Sequence, residues 1–255
     1  MDFFSAITPN EISGFAAALI VVIAFVSSAV TGAFGLGGGL LLLAAMSILF
    51  PPAAVVPVHG VAQLGSNASR WGFLKEHTVM PIVIWFTLGA GLGAALGAMV
   101  VVELPEALLR VGIGLFILFT VWVPKPTSFT AGNRFFFMGG AVSSFLTMFF
   151  GATGPIVATI LAAARLDRLQ IVSTHALCLL IQHGFKTLAF GFLGFAFSEW
   201  ALLIGLIILA GFAGAYLGTR VLKKMPDGDF QQIFKILLSV LALYLIVAGF
   251  LFKTD

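Results

Sequence analysis

Eight polar residues stand out in this chain because they sit where polar residues should be rare. His59, Gln63, Asn67 and Arg70 fall at 0, 4, 8 and 11 along one apolar run, so they share a stripe on a helix. His175, Gln182, His183 and Lys186 repeat the stripe at 0, 7, 8 and 11 in a second run. A charged side chain in lipid costs about 3 kcal/mol or more unless it faces an internal cavity, so each is a functional candidate. The inventory is donors and cations. Glu76, Glu103, Glu106 and Glu199 map to segment ends or loops, leaving no carboxylate deep in a run. Sodium and metal-cation sites are built from carboxylates and carbonyls, so this set suits a small anion. Imidazoles ordinarily titrate near neutrality, so His59, His175 and His183 could carry coupling protons or bond neutrally across helices.

Two glycine-rich breaks supply a second element of the chemistry. Gly35-Leu36-Gly37-Gly38-Gly39 and Gly151-Ala152-Thr153-Gly154-Pro155 each precede a short apolar segment. A helix that starts at such a break has unpaired N–H groups and a partial positive charge at its N-terminus, which attract anions. Proline fits the first helical turn because its missing N–H had no partner there. Glycine lets a ligand approach the backbone, and the hydroxyls of Thr31, Thr147 and Thr153 could add donors. The predicted substrate-binding set is therefore Thr31, Gly37, Gly38, Gly39, His59, Gln63, Asn67, Arg70, Thr147, Thr153, Gly154, His175, Gln182, His183 and Lys186. No cofactor and no metal site is expected.

The elements that must position these residues are membrane helices. Only 9% of the 255 residues are charged and 60% are hydrophobic, whereas a soluble domain is about a quarter charged. The polar surface is too small to coat a globule of 26.9 kDa, so the solvent is lipid. The runs lack the alternation of barrel strands, which leaves an all-α polytopic protein. The net charge of +3 then biases topology and does not suggest nucleic acid. The apolar segments are 13–34, 38–50, 53–74, 79–102, 105–123, 134–150, 155–164, 169–193, 198–222 and 229–252. Segments 38–50 and 155–164 are shorter than the roughly 20 residues of a full span, so each break is expected at the tip of a re-entrant hairpin. Lys75, His77, Lys125, Arg134, Arg165, Arg168, Arg220, Lys223 and Lys224 then share one face. Asp2, Glu11, Glu103, Glu106 and Glu199, with Lys253 and Asp255, share the other. The basic face is cytoplasmic by the positive-inside rule, which puts both termini outside. The lone Cys178 can form no intrachain disulfide, and the acidic N-terminal stretch argues against a cleavable signal peptide.

The two halves align. An offset of 116 places Val26-Ser27-Ser28 on Val142-Ser143-Ser144, Thr31 on Thr147, Gly35 on Gly151, Gly38 on Gly154 and His59 on His175. It also places Asn67 on His183 and Arg70 on Lys186. Beyond a five-residue insertion the offset is 121, and Gly93-Ala94-Ala95-Leu96-Gly97 meets Gly214-Ala215-Tyr216-Leu217-Gly218. The expectation is an N-terminal repeat, 1–124, and a C-terminal repeat of inverted topology, 125–255, forming one transport domain. Each repeat would hold a glycine-broken hairpin and three spanning helices, with the site where the halves meet.

The first glycine-rich break, the Pro51-Pro52 turn, the His59-to-Arg70 helix and their second-half copy resemble the TauE/SafE sulfite-exporter-type family over nearly the whole chain. The resemblance implies a permease of the bacterial inner membrane that moves sulfite, organosulfonates or related small organic anions. Its glycine-rich motif corresponds to Gly35, Gly37, Gly38 and Gly39, and the repeat of that motif to Gly151, Gly154 and Pro155. Val58-His59 stands where many members have Thr-Ser, and the second motif is reduced to Gly-Ala-Thr-Gly-Pro. Those departures bear on the substrate more than on the fold. The expected function is a secondary anion transporter working by alternating access, and not an enzyme. Its partners are a small anion, the bilayer and a coupling proton; the oligomeric state is left open. A passive anion channel and an intramembrane enzyme with a metal on His59, His175 and His183 are the alternatives.

Overall fold

The computed structural model describes residues 12–35, 37–101, 106–122, 132–164 and 166–222, with residues 9, 236, 239–240, 242–247 and 250. Among the described residues there are helices and no strands. In chain order they are α1 (Gly14–Phe34), α2 (Gly38–Leu49), α3 (Pro52–Leu74), α4 (Met80–Val100) and α5 (Glu106–Trp122). Then follow α6 (Asn133–Phe150), α7 (Gly154–Ala162), α8 (Arg168–Phe192) and α9 (Ala201–Leu222). Residues 242–247 are again helical, and the rest of segment 229–252 lies largely outside the described residues. So do the loop charges Asp2, Glu11, Glu103, Lys125, Arg165, Lys223, Lys224, Lys253 and Asp255, and the side chain of Glu106.

Local chemistry sets the boundaries. Ser13 caps α1 by accepting from the Ala16 N–H, and Asp167 forms a capping box with Gln170 at the start of α8. Both α1 and α6 stop at a glycine of positive φ, +83° at Gly35 and +80° at Gly151, where other residues would be strained. The chain then doubles back. A side chain at Gly38, in the first turn of α2, would collide with the Ser27 carbonyl and the Thr31 hydroxyl of α1. Gly139 of α6 likewise lies against Ile160 of α7. Phe50 and Pro51 suffice to turn the chain from α2 into α3, which starts at Pro52.

Among the described residues, three helical stretches, 14–34, 80–100 and 197–221, are long and apolar enough to cross a bilayer. In α4 the usual sidedness of a soluble helix is reversed. Ile84, Leu88, Leu92 and Leu96 point outward, while Gly89, Gly93 and Gly97 are buried. Large side chains face lipid and small ones face protein, because packing in a membrane depends on close backbone approach.

That approach builds two seams. Gly89 and Gly93 of α4 lie against the Phe137 and Ala141 carbonyls of α6, and Gly140 of α6 lies against the Phe86 carbonyl. Gly214 and Gly218 of α9 lie against the Phe25 and Ala29 carbonyls of α1. The numbers rise together along both seams, so both helix pairs run parallel. The partners correspond under the sequence offsets, with Gly93 on Ala141 answering Gly214 on Phe25. One apolar core joins α1, α2 and α3 to the start of α9; another joins α6, α7 and α8 to α4. Each core therefore borrows from the other half of the chain, the first taking α9 with Ala242 and Leu245 and the second taking α4.

Between the cores, α3 and α8 pair across the middle. Leu64 lies near Gly184, Gly60 near Lys186, and Arg70 near His175. As one number rises the other falls, so these two helices are antiparallel. Gly93→Val should destabilise the protein by about 1–3 kcal/mol, because the new side chain has only the Ala141 backbone to enter. Gly72→Ala, where nothing lies within 4 Å, should be neutral or slightly stabilising; thermal unfolding in detergent measures both.

Candidate functional site

The breaks α1–α2 and α6–α7 meet the central pair α3–α8 at a polar centre closed off from the exterior. Arg70 and His175 are 1% exposed, His59 and Lys186 0%. Ser28, Ser66, Ser143, Ser144, Thr147 and Thr153 are buried around them. Among the described residues, no carboxylate is buried.

The bonding of this centre follows from a simple need. A broken helix frees backbone carbonyls, and in lipid these find partners only within the protein. Arg70 Nη1 donates to the Gly35 carbonyl at 3.3 Å, and Lys186 Nζ donates to the Gly151 carbonyl at 2.7 Å. Each cation thus sits at the negative end of the helix that has just stopped, where positive charge is favoured. His59 Nε2–H donates to the Gly39 carbonyl and His175 Nε2–H to the Gly154 carbonyl, both at 2.9 Å. Carbonyls only accept, so both imidazoles carry their proton on Nε2. The four bonds form two matched pairs under the 116-residue offset, apart from a one-residue slip between Gly39 and Gly154.

Around this frame the two sides differ. Arg70 Nη2 also donates to Asn67 Oδ1 at 2.6 Å and to His175 Nδ1 at 3.3 Å. Asn67 in turn donates to the Gln63 carbonyl at 2.7 Å. On the other side, Gln182 donates to Ser143 and Ser144, both at 3.1 Å, and accepts from Thr153 at 2.9 Å. His59 and His183 meet edge to face with ring centres 5.8 Å apart. The Nδ1 atoms of both have no hydrogen-bond partner.

A cavity of about 20 Å³ lies at the centre, just above the ~10–15 Å³ that one water requires. Of the predicted site residues, Thr31, Gly37, Gly39, His59, Gln63, Asn67, Gly154, His175 and His183 line it. Gly38, Arg70, Thr147, Thr153, Gln182 and Lys186 are not in its lining. Gly38 is pressed against α1, and Thr147 donates to the Gly151 carbonyl at 3.0 Å. The remaining four are engaged in the bonds described above. The Thr31 hydroxyl is also spent within the protein, on the Ser27 carbonyl.

Sequence reasoning did not single out the carbonyls of Gly35 and Gly151 as the cations' acceptors. It also passed over Ser143 and Ser144 as partners of Gln182, although their match to Ser27 and Ser28 was a usable signal. Among the described residues, no three His, Cys, Asp or Glu side chains come together in a way that could hold a metal. Gln182→Leu should destabilise the protein by about 1–3 kcal/mol by stranding Ser143, Ser144 and Thr153. A shift in the unfolding midpoint in detergent reads this out.

An apolar exterior around a buried polar centre, with two helices interrupted at that centre, is the architecture of an integral membrane transport protein. Residues 19–245 match the model of the sulfite exporter TauE/SafE family. The chain belongs to that family. Neither a curated protein nor a solved structure matches it.

Proposed function

We propose that this protein is a secondary transporter of a small anion, with sulfite or an organosulfonate as substrate, bound where the two glycine breaks meet. The observation that carries the reading is that both short helices, α2 and α7, begin at one cavity. Gly37, Gly39 and Gly154, from those two starts, line it together. Two helix N-termini aimed at one point favour negative charge there, and no buried carboxylate among the described residues opposes it. Gln63 and Asn67 offer uncharged polar groups beside them.

In this reading the halves, 1–124 and 125–255, are inverted repeats with re-entrant hairpins at α1–α2 and α6–α7. The antiparallel crossing of α3 with α8, its counterpart under the offset, supports this, as do the matched bonds to the breaks. The proposed setting is the bacterial inner membrane, as membership of the family implies, with both termini outside if the basic loops follow the positive-inside rule. A sulfur oxyanion is larger than the water that fills about 20 Å³, so the walls must part to admit it. Parting on alternate sides is alternating access. Arg70 and Lys186 act by holding the breaks in shape rather than by gripping the anion.

Sulfite flux in proteoliposomes tests the proposal. A methyl group at Gly39 would lie 3.4 Å from Gln63, and one at Gly154 would lie 3.5 Å from Leu179. Either site can therefore take alanine with at most a slight adjustment of its neighbour, while the methyl group occupies the ligand's space. Gly39→Ala and Gly154→Ala should each keep their thermal stability and lose at least about tenfold in kcat/KM, equivalent to ~1.4 kcal/mol. Unchanged flux in both would remove the site from this cavity. Flux that rises linearly without saturating would point to a passive channel.

A further inference from the structure

The polar centre contains two relays built on one plan, and only one of them is complete. In the first, Arg70 donates both to the Gly35 carbonyl and to His175 Nδ1, and His175 Nε2–H ends on the Gly154 carbonyl. The first break is thereby tied to the second through one guanidinium and one imidazole. In the counterpart, Lys186 donates to the Gly151 carbonyl and His59 Nε2–H ends on the Gly39 carbonyl. Lys186 and His59 both approach the Gly151 carbonyl, but no hydrogen bond joins them directly, and His59 Nδ1 has no hydrogen-bond partner although the residue is fully buried.

The difference has a chemical cause. A guanidinium is a planar fork that can serve several acceptors at once, and Asn67 Oδ1 holds this one in position. At the counterpart of Asn67 the chain has His183, which offers no amide oxygen. The ammonium of Lys186 has three N–H donors, but it is drawn to the Gly151 carbonyl and makes no bond to His59 Nδ1. What the second relay lacks is one donor at His59 Nδ1, a bare lone pair because Nε2 carries the proton.

The location of the relays turns this asymmetry into a mechanism. Residues 59 and 70 are eleven positions apart on α3, about 16 Å along the helix. Because α8 is antiparallel, His175 faces the Arg70 end of α3 and Lys186 faces the other. The relays therefore span opposite ends of one crossed helix pair. Were α3 to rock on α8 about the region between them, one set of partners would come together as the other was drawn apart.

Resting on the alternating-access reading, we infer that the two relays are alternating latches. The Arg70–His175 latch is closed in this conformation, and a Lys186–His59 latch closes in the opposite one. His59 and His175 are then positioning residues, each reporting the state of one break to the other through its two ring nitrogens.

The test uses an Ala152→Cys reporter at the cavity, with Cys178→Ala removing the native thiol. The full chain is reconstituted in vesicles and labelled from either side with a membrane-impermeant maleimide. His175→Gln keeps a nitrogen that can donate to Gly154, while its one acceptor, the amide oxygen, stands on the carbon that carries that nitrogen and not in the place of Nδ1, so Arg70 loses the partner it has here. It should shift the ratio of labelling between the two sides by about tenfold, the worth of one charge-assisted hydrogen bond. His59→Gln should shift the ratio in the opposite direction, and the double variant should return it towards the parent value. Lys186→Arg, whose longer planar fork can bond the Gly151 carbonyl and His59 Nδ1 at once, should shift it in the same direction as His175→Gln, and it keeps the test decisive if a glutamine variant fails to fold. A purely structural role would give shifts of one sign or none, and either result overturns the latches. Sulfite flux in the same vesicles separates the two readings. Saturable flux with same-sign shifts overturns the latches alone, whereas non-saturating flux overturns the transporter reading on which they rest.

Discussion

Interrupting a helix inside lipid frees backbone carbonyls and N–H groups at a depth where water cannot reach them. The polar centre of this protein is organised around that requirement. Gly35 and Gly151 end their helices at positive φ, and the carbonyls left behind are taken up by Arg70 and Lys186. His175 and His59 donate to carbonyls in the first turns of the next helices, those of Gly154 and Gly39, and so tie the helix starts to the central pair. Of the two central stripes, Arg70, Lys186, His59 and His175 are bonded to this frame, Asn67, Gln63 and Gln182 bond to the groups beside it, and His183 meets the His59 ring edge to face. What the frame leaves uncommitted is the pair of helix N-termini, and those face the cavity. The proposed anion site is thus what remains once the cost of breaking two helices has been met from within.

This order of priorities explains why the cations stand back from the cavity. A buried charge needs partners more urgently than a ligand that comes and goes. Arg70 and Lys186 find fixed acceptors in the C-terminal carbonyls of α1 and α6, so they do not depend on the anion for compensation. Direct contact with substrate would then fall to backbone and neutral groups, which bind an anion without holding it too tightly for release.

Much of this was legible in the sequence. The apolar runs, the glycine breaks and the stripes at 59, 63, 67 and 70 and at 175, 182, 183 and 186 each appear as structure. Membrane helices signal length and polarity strongly, and a histidine or lysine inside one stands out. The family is carried by the breaks and their repetition. What the pattern concealed was direction. Helical spacing puts Arg70 and Asn67 on one face but does not say that Arg70 turns back to a carbonyl 35 residues away. Nor does it tell a threonine whose hydroxyl is free from one such as Thr153, spent on Gln182. The glycines of α4 and α9 read as small residues suited to packing, but their partners lie in the opposite half, and local pattern carries no information about a neighbour 48 positions away, as with Gly89 and Phe137.

The exchange of α4 and α9 between the cores has a consequence for the chain as a physical object. Cutting it between α5 and α6 would not yield two finished bundles. The first piece would keep α1 without α9 and carry α4 with no backbone to rest on, leaving the Gly89 and Gly93 surface open to lipid. The second would have the mirror defect. Acyl chains are too bulky and mobile to fill a groove shaped for a carbonyl, so each piece would hold an adhesive edge that only the other fits. The glycine seams thereby serve as the clasp by which two halves that share one plan are kept as a single molecule.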